Sequence, residues 1–229
     1  MVGVPDKPES PDALLRMLLA HAGDSFEERL RQELAKETLV GGKRVVKQKL
    51  PKLPKRAETT VHVVKVNLYG AKPPIWRRLE IPSAMALDLV HQVLQAAFDW
   101  HGYHLHSFET VCGEFGDPSQ DDDWSERGDE SAVALAQVAA AEKAKVVYVY
   151  DFGDDWRHDI VVEKILPAAP GVPYPRCTGG RSATPGEDSG GIWAFNEERA
   201  QGGVPDSSFD PADVTQALAD LTVVIAPAT

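Results

Sequence analysis

The stretch that decides the fold is Val146-Val147-Tyr148-Val149-Tyr150-Asp151-Phe152-Gly153-Asp154-Asp155-Trp156-Arg157-His158-Asp159-Ile160-Val161-Val162. A β-branched and aromatic run enters an Asp/Gly turn, and a second run with apolar residues at alternate positions leaves it. Such side chains suit a pleated, half-buried surface, and aspartate and glycine accept the backbone of a tight turn. The pattern predicts an antiparallel hairpin with strands over 146–150 and 156–166. Working outward, Val61 to Leu68 is another β-branched run, Gly70 to Pro74 a turn, Ile75 to Ile81 a returning strand and Leu105 to Cys112 a short one. Between them Leu87, Val90, Leu94, Ala97 and Phe98 recur at helical spacing behind Ser83, which is placed to cap that helix. Ala132 to Lys143 reads as an alanine-rich helix, the Pro/Gly-rich 167–191 as irregular chain held by packing, and Asp210-Pro211 as the start of a terminal helix. Strands and helices mix without regular alternation. The expected fold is therefore α+β, a mostly antiparallel sheet with a packed central helix.

Charge divides the chain of 229 residues, whose net charge is −11. Residues 43–57 carry seven bases and no acid (Lys43, Arg44, Lys47, Lys49, Lys52, Lys55 and Arg56), against an acidic remainder. Before them, Ser10-Pro11-Asp12 and the Ser25/Glu28 capping box open two short amphipathic helices. Residues 1–57 are thus expected to form an N-terminal helical extension and basic linker, and 58–229 the α+β domain. No apolar run reaches the ~18–20 residues that span a bilayer, and the start lacks the regions of a signal peptide. Two cysteines, Cys112 and Cys177, cannot make a disulfide framework, so free thiols and a cytoplasmic location are expected.

Three constellations carry chemistry. His101, His104 and His106 fall within six residues. On a strand His104 and His106 share a face, and His158 could join them as a metal site completed by Asp151, Asp154 or Asp155. The opposing reading is a half-buried, hydrogen-bonded cluster. The turn Asp151–Asp155 sets three carboxylates side by side, which backbone N–H groups, a cation or one of arginines 77, 78 and 157 must offset. The basic segment could lie along phosphates, although it has no aromatic to stack a base. The acid run Asp121-Asp122-Asp123 lacks EF-hand spacing, and Glu187-Asp188-Ser189-Gly190-Gly191 mimics a serine-protease segment without its histidine context.

Several strings together are specific: Pro73-Pro74-Ile75-Trp76-Arg77-Arg78-Leu79, Ala96-Ala97-Phe98-Asp99-Trp100, His104-Leu105-His106-Ser107-Phe108, Tyr150 to His158, and Tyr174-Pro175-Arg176-Cys177. With them the chain resembles the Ri-plasmid ORF-three-like family, also labelled insertion-element passenger TnpR-like proteins, from about residue 59 to 220. The resemblance implies an α+β domain carried on plasmids and mobile elements, with no established reaction. Relatives often place cysteines where this chain has Thr184 and Ser189, which argues against a thiolate metal site here. The leading expectation is a binding or accessory module for a protein partner or nucleic acid. Its surface would comprise Trp76, Arg77, Arg78, His104, His106, Asp151, Asp154, Asp155, Trp156 and His158, with no cofactor. The alternative is a divalent-metal-dependent hydrolase or nuclease, with His104, His106 and His158 as ligands and Asp151, Asp154 and His158 in the chemistry.

Overall fold

The computed structural model describes residues 37–40, 43–46, 49–119, 127–202 and 209–225. The chain divides into two units, Met1–Glu37 and Thr38–Thr229, and the following concerns the second. The expected N-terminal helices, Lys47 and the 121–123 acid run lie outside the described residues.

The hairpin forms as its pattern requires. Eight strands make one sheet in the order β11-β4-β3-β9-β8-β5-β6-β7. They are β3 (Thr60–Leu68), β4 (Trp76–Pro82), β5 (His106–Thr110), β6 (Gly113–Gly116), β7 (Gly128–Asp129), β8 (Lys145–Tyr150), β9 (Trp156–Pro167) and β11 (Arg176–Arg181). All neighbours are antiparallel except β6 and β7, so the fold is α+β with a large mixed sheet. Two small sheets pair β1 (Glu37–Val40) with β2 (Lys43–Val46) and β10 (Pro173–Tyr174) with β12 (Val223–Val224).

One face of the large sheet is covered. Helix α1 (Leu87–Phe98) buries Val90, Val93, Leu94, Ala97 and Phe98 in a core with Val64, Leu79, Phe108, Tyr148, Trp156 and Ile160. The alternation in β9 is clean: Trp156, His158, Ile160 and Val162 are buried, while Arg157, Asp159, Val161 and Glu163 are half-exposed. An antiparallel sheet solvated on one side gives this period of two. The outer face is laced by ion pairs, Arg78–Glu163 at 2.6 Å, Arg157–Glu109 at 2.7 Å and Arg176–Glu80 at 2.7 Å.

Four expectations need correction. Ser83 does not cap α1, whose N-cap is Ala86. Its hydroxyl bonds His62 Nδ1 and Thr60 Oγ1, each at 2.8 Å, across the sheet. The 132–143 helix shrinks to α2 (Leu135–Val138), because Lys143 and Ala144 are drawn into ladder bonds with Val162. Segment 167–191 is not held by packing alone. Its β11 adds an edge strand to β4, and glycine at 180 is required there, since a Cβ would lie 2.9 Å from Trp76 O. Finally, the basic segment is not wholly an extended linker: Lys43 and Arg44 lie in β2, and Lys55 and Arg56 in a 3-10 turn (Lys55–Thr59). Two further helices close the unit: α3 (Gly191–Ala200), which the sequence did not signal, and α4 (Pro211–Ala217), capped by Asp210 as expected.

Candidate functional site

Backbone groups hold the β8–β9 turn, and the Arg127 guanidinium lies 5.0 Å from the Phe152 ring within it. Asp151 and Asp155 take left-handed backbone, φ 54° and 52°, and the Asp155 N–H closes on Asp151 O at 2.7 Å. Asp151 Oδ1 accepts from the N–H groups of Gly153 (3.0 Å) and Asp154 (3.4 Å), and Asp154 Oδ2 accepts from Gly190 N–H at 3.0 Å. Backbone donors thus offset two of the three carboxylates.

The histidine-bearing stretch meets this turn. Asp99, left-handed at φ 55°, ends α1 and reverses the chain, and Asp151 N–H donates to Leu105 O at 2.8 Å. A third segment arrives from beyond β11. Trp100 Nε1 donates to Pro185 O at 2.9 Å; the Tyr150 hydroxyl donates to one oxygen of Glu187, and His101 N–H to the other at 3.0 Å. Burial and the Glu187 carboxylate both push the Tyr150 phenol above its ordinary pKa, so it stays protonated as that donor. The same loop carries Asp188, whose Oδ1 lies 3.0 Å from His104 Nε2, while Asp151 Oδ2 lies 3.7 Å from the same nitrogen. Ligand-type atoms of His104, Asp151 and Asp188 all fall within 4.8 Å of one another. One imidazole nitrogen and two carboxylate oxygens are a donor set that could hold a divalent cation.

The other expected residues go elsewhere. His106 Nε2 bonds both oxygens of buried Glu130, at 3.1 and 2.9 Å, and its ring stacks on His91 at 3.6 Å. That stack floors an open cavity of about 340 Å³ lined by Asp88, Asp117 and Asp129. His158 is fully buried edge-on to Phe98 and Trp100, its Nδ1 bonded to Trp156 O at 3.0 Å. Burial lowers its pKa to about 3, as burial and the neighbouring His106 do for His91. A His104–His106–His158 metal triad therefore does not assemble: His106 Nε2 is held by Glu130, and the His158 ring is enclosed in the core between Phe98 and Trp100. The catalytic grouping of Asp151, Asp154 and His158 does not form either, because His158 is enclosed in the core while both aspartates belong to the turn.

Trp156 is also buried, and Asp155 is exposed on the turn. Trp76 lies on the open sheet face between Lys65 (4.9 Å) and Arg78 (5.1 Å), where Arg78 is paired with Glu163. Arg77 points inward. It ties Ala97 O at the end of α1 to Trp76 O, Arg181 O, Ser182 O and Thr184 Oγ1. Arg77 is thus closed off from any binding surface, while Trp76 and Arg78 stand half-buried on the other face of β4. Asp188 and Glu187 were missed as site residues because no local pattern links that loop to the hairpin. His91 was missed because it reads as one more polar position on an amphipathic helix.

The fold and this loop end define an α+β module with a sheet open on one side. Residues 60–207 match the family described as plasmid pRiA4b ORF-3-like protein, and the chain belongs to it. An uncharacterised protein of Sinorhizobium fredii (strain NBRC 101917 / NGR234), y4hQ, is 36% identical over 136 residues, covering 58% of this chain and 69% of the relative. The crystal structure of a protein of unknown function, MM3350 from Methanosarcina mazei Go1, is similar at TM-score 0.60 and 33% identity, covering 68% of this chain and 96% of that one. None of these descriptions names a reaction or a ligand.

Proposed function

We propose that the protein is an accessory binding module that docks a protein partner on the loop end of its sheet. The observation that carries this reading is the placement of exposed apolar side chains. Tyr69, Tyr103, Leu105, Phe152 and Trp193 all belong to the loops and helix at that end, with Tyr103 79% and Trp193 85% exposed. Exposed aromatics gathered in one region mark interaction surfaces more than scattered ones do. Carboxylates of Asp154, Asp155, Glu187 and Asp188 lie among them, which favours a partner with basic side chains and disfavours phosphate. The outer sheet face is no better for nucleic acid, since its arginines are matched by glutamates.

The test is affinity capture from a host lysate by the wild type, by Tyr103→Ser/Trp193→Ser, and by Leu53→Ser, which alters an exposed apolar residue outside that end. A protein captured by the first and third but not the second supports the reading. Identical captures by all three refute it. One observation favours a second reading: Lys49, Lys52, Lys55 and Arg56 are exposed and form no ion pair among the described residues. Band shifts with duplex and single strands at low and high salt decide that reading, and no shift at low salt removes it.

A further inference from the structure

We propose that His104, Asp151 and Asp188 bind one divalent first-row transition cation, of the zinc or manganese kind. The site shares Asp188 and the Asp151 turn with the proposed docking surface, but metal uptake does not require a partner.

An ordinary ion pair does not explain His104. Its Nε2 is shut off from solvent and meets no acceptor in hydrogen-bond geometry, although Asp188 Oδ1 is only 3.0 Å away. In a salt bridge the N–H points along the N···O line. Here the nitrogen and one oxygen of each carboxylate lie within 4.8 Å of one another, a spacing that a cation at a point between them would bridge. A buried polar atom left unsatisfied is costly, and a cation at that point satisfies it together with both oxygens.

The surroundings orient the donors. Asp151 Oδ1 is engaged by two turn N–H groups, which leaves Oδ2 (3.7 Å from Nε2) for the ion. The His104 ring lies edge-on to Tyr150 at 5.8 Å. The Asp188 loop is fixed on either side, by Glu187 through His101 N–H and by Gly190 through Asp154. Such outer contacts set ligand direction in metal sites. The donor types select the metal: magnesium and calcium favour all-oxygen shells, whereas an imidazole with carboxylates suits zinc, manganese or iron(II). Three protein donors leave positions for water, and Asp188, 73% exposed, lies on the entry side.

Untagged full-length protein, stripped with a chelator, is titrated calorimetrically with zinc chloride and with manganese chloride, magnesium serving as the control. The expected result is one equivalent bound per chain. His104→Ala, Asp151→Asn and Asp188→Asn should each weaken binding at least tenfold, about the size of ligand-shell effects. His101→Ala, a neighbouring exposed histidine outside the cluster, should bind as the wild type does. Thermal melts establish that each variant is folded, and manganese paramagnetic resonance should show nitrogen coupling that His104→Ala loses. Two results overturn the proposal: no uptake by wild type at dissociation constants below about 100 μM, or unchanged affinity in a folded Asp151→Asn/Asp188→Asn double variant. Because the readout is metal uptake by the isolated chain, it fails or succeeds independently of partner capture.

Discussion

Replacing Arg77 by methionine tests how the sheet, the central helix and the edge strand are joined. The guanidinium is 2% exposed and has no carboxylate against it among the described residues. It instead donates to Ala97 O at 2.9 Å, Trp76 O at 3.0 Å, Arg181 O at 3.1 Å, Ser182 O at 3.0 Å and Thr184 Oγ1 at 3.0 Å, with the Phe98 and Phe209 rings 5.1 and 4.1 Å away. Burial lowers its pKa to about 10 from the ordinary 12.5, a difference equivalent to about 3 kcal/mol against the charged form. Methionine recovers that cost but leaves the carbonyls of Ala97, Arg181 and Ser182 short of a donor, at roughly 1–3 kcal/mol each. It also removes a cation from the negative end of α1, a further ~0.5–1 kcal/mol. The balance is a loss of about 3 kcal/mol, or roughly 6–12 °C in Tm for a unit of this size. Arg77→Lys should not rescue it, because one ammonium cannot reproduce the planar fork. Urea unfolding followed by far-UV circular dichroism gives the number. Methionine within about 0.5 kcal/mol of wild type would mean that desolvation dominates, as at some buried ion pairs, and would refute the clamp.

Glu130→Ala strips the buried His106 of its carboxylate and should destabilise by about 3–5 kcal/mol in the same assay; a change under about 1 kcal/mol would contradict the pairing. Burial holds the His158 ring neutral down to about pH 3, while the unfolded chain protonates it near 6.5. Its contribution is therefore complete above about pH 6.5 and lost as pH falls toward 3, at up to ~1.4 kcal/mol per pH unit. In His158→Phe the acid-side slope of stability should be shallower by about that amount between pH 6 and 5; parallel slopes would rule it out. At Gly191, with φ 77°, a Cβ would stand 2.5 Å from Asp154 O, so Gly191→Ala should cost about 1–3 kcal/mol and raise proteolysis of the 182–191 loop. Unchanged cleavage would place the loop's hold elsewhere.

The parts of the fold that could be read from sequence are those whose apolar period matches their own geometry. The 146–162 hairpin joins a continuous β-branched and aromatic run to a strictly alternating one, and α1 repeats its apolar residues at helical spacing, so both are where they were expected. The parts misread are decided by distant partners. Ser83 has the local look of a cap, but His62 and Thr60 claim its hydroxyl from across the sheet. Strand β11 contains Gly179-Gly180, a turn signal, yet Gly180 is there because Trp76 and Phe209 crowd that edge. Helix α3 buries only Gly191 and Phe195, so it has almost no apolar period to detect. The site divides in the same way. That the histidine and aspartate stretches meet was legible, and Asp151 N–H on Leu105 O joins them. Which histidine stays at the surface was not, because the strand begins only at His106 and leaves His104 in the segment before it.

The ring nitrogens sort the described histidines better than sequence spacing does. His62 has both nitrogens occupied, by Ser83 Oγ at 2.8 Å and Ala139 O at 2.9 Å, and ties β3 to the chain after α2. His106 is bound to Glu130, and His91 to the Tyr148 hydroxyl at 2.8 Å. His158 resembles His104 in having an unpartnered Nε2, but it is enclosed by Phe98, Trp100 and Tyr148 and belongs to no ligand cluster among the described residues. An orphan nitrogen among aromatic rings is a packing cost, whereas one facing two carboxylates is a set of ligands. The same chemical group thus reads as core at one end of β9 and as site beside the turn that precedes it, and the difference lies in which oxygens the fold delivers.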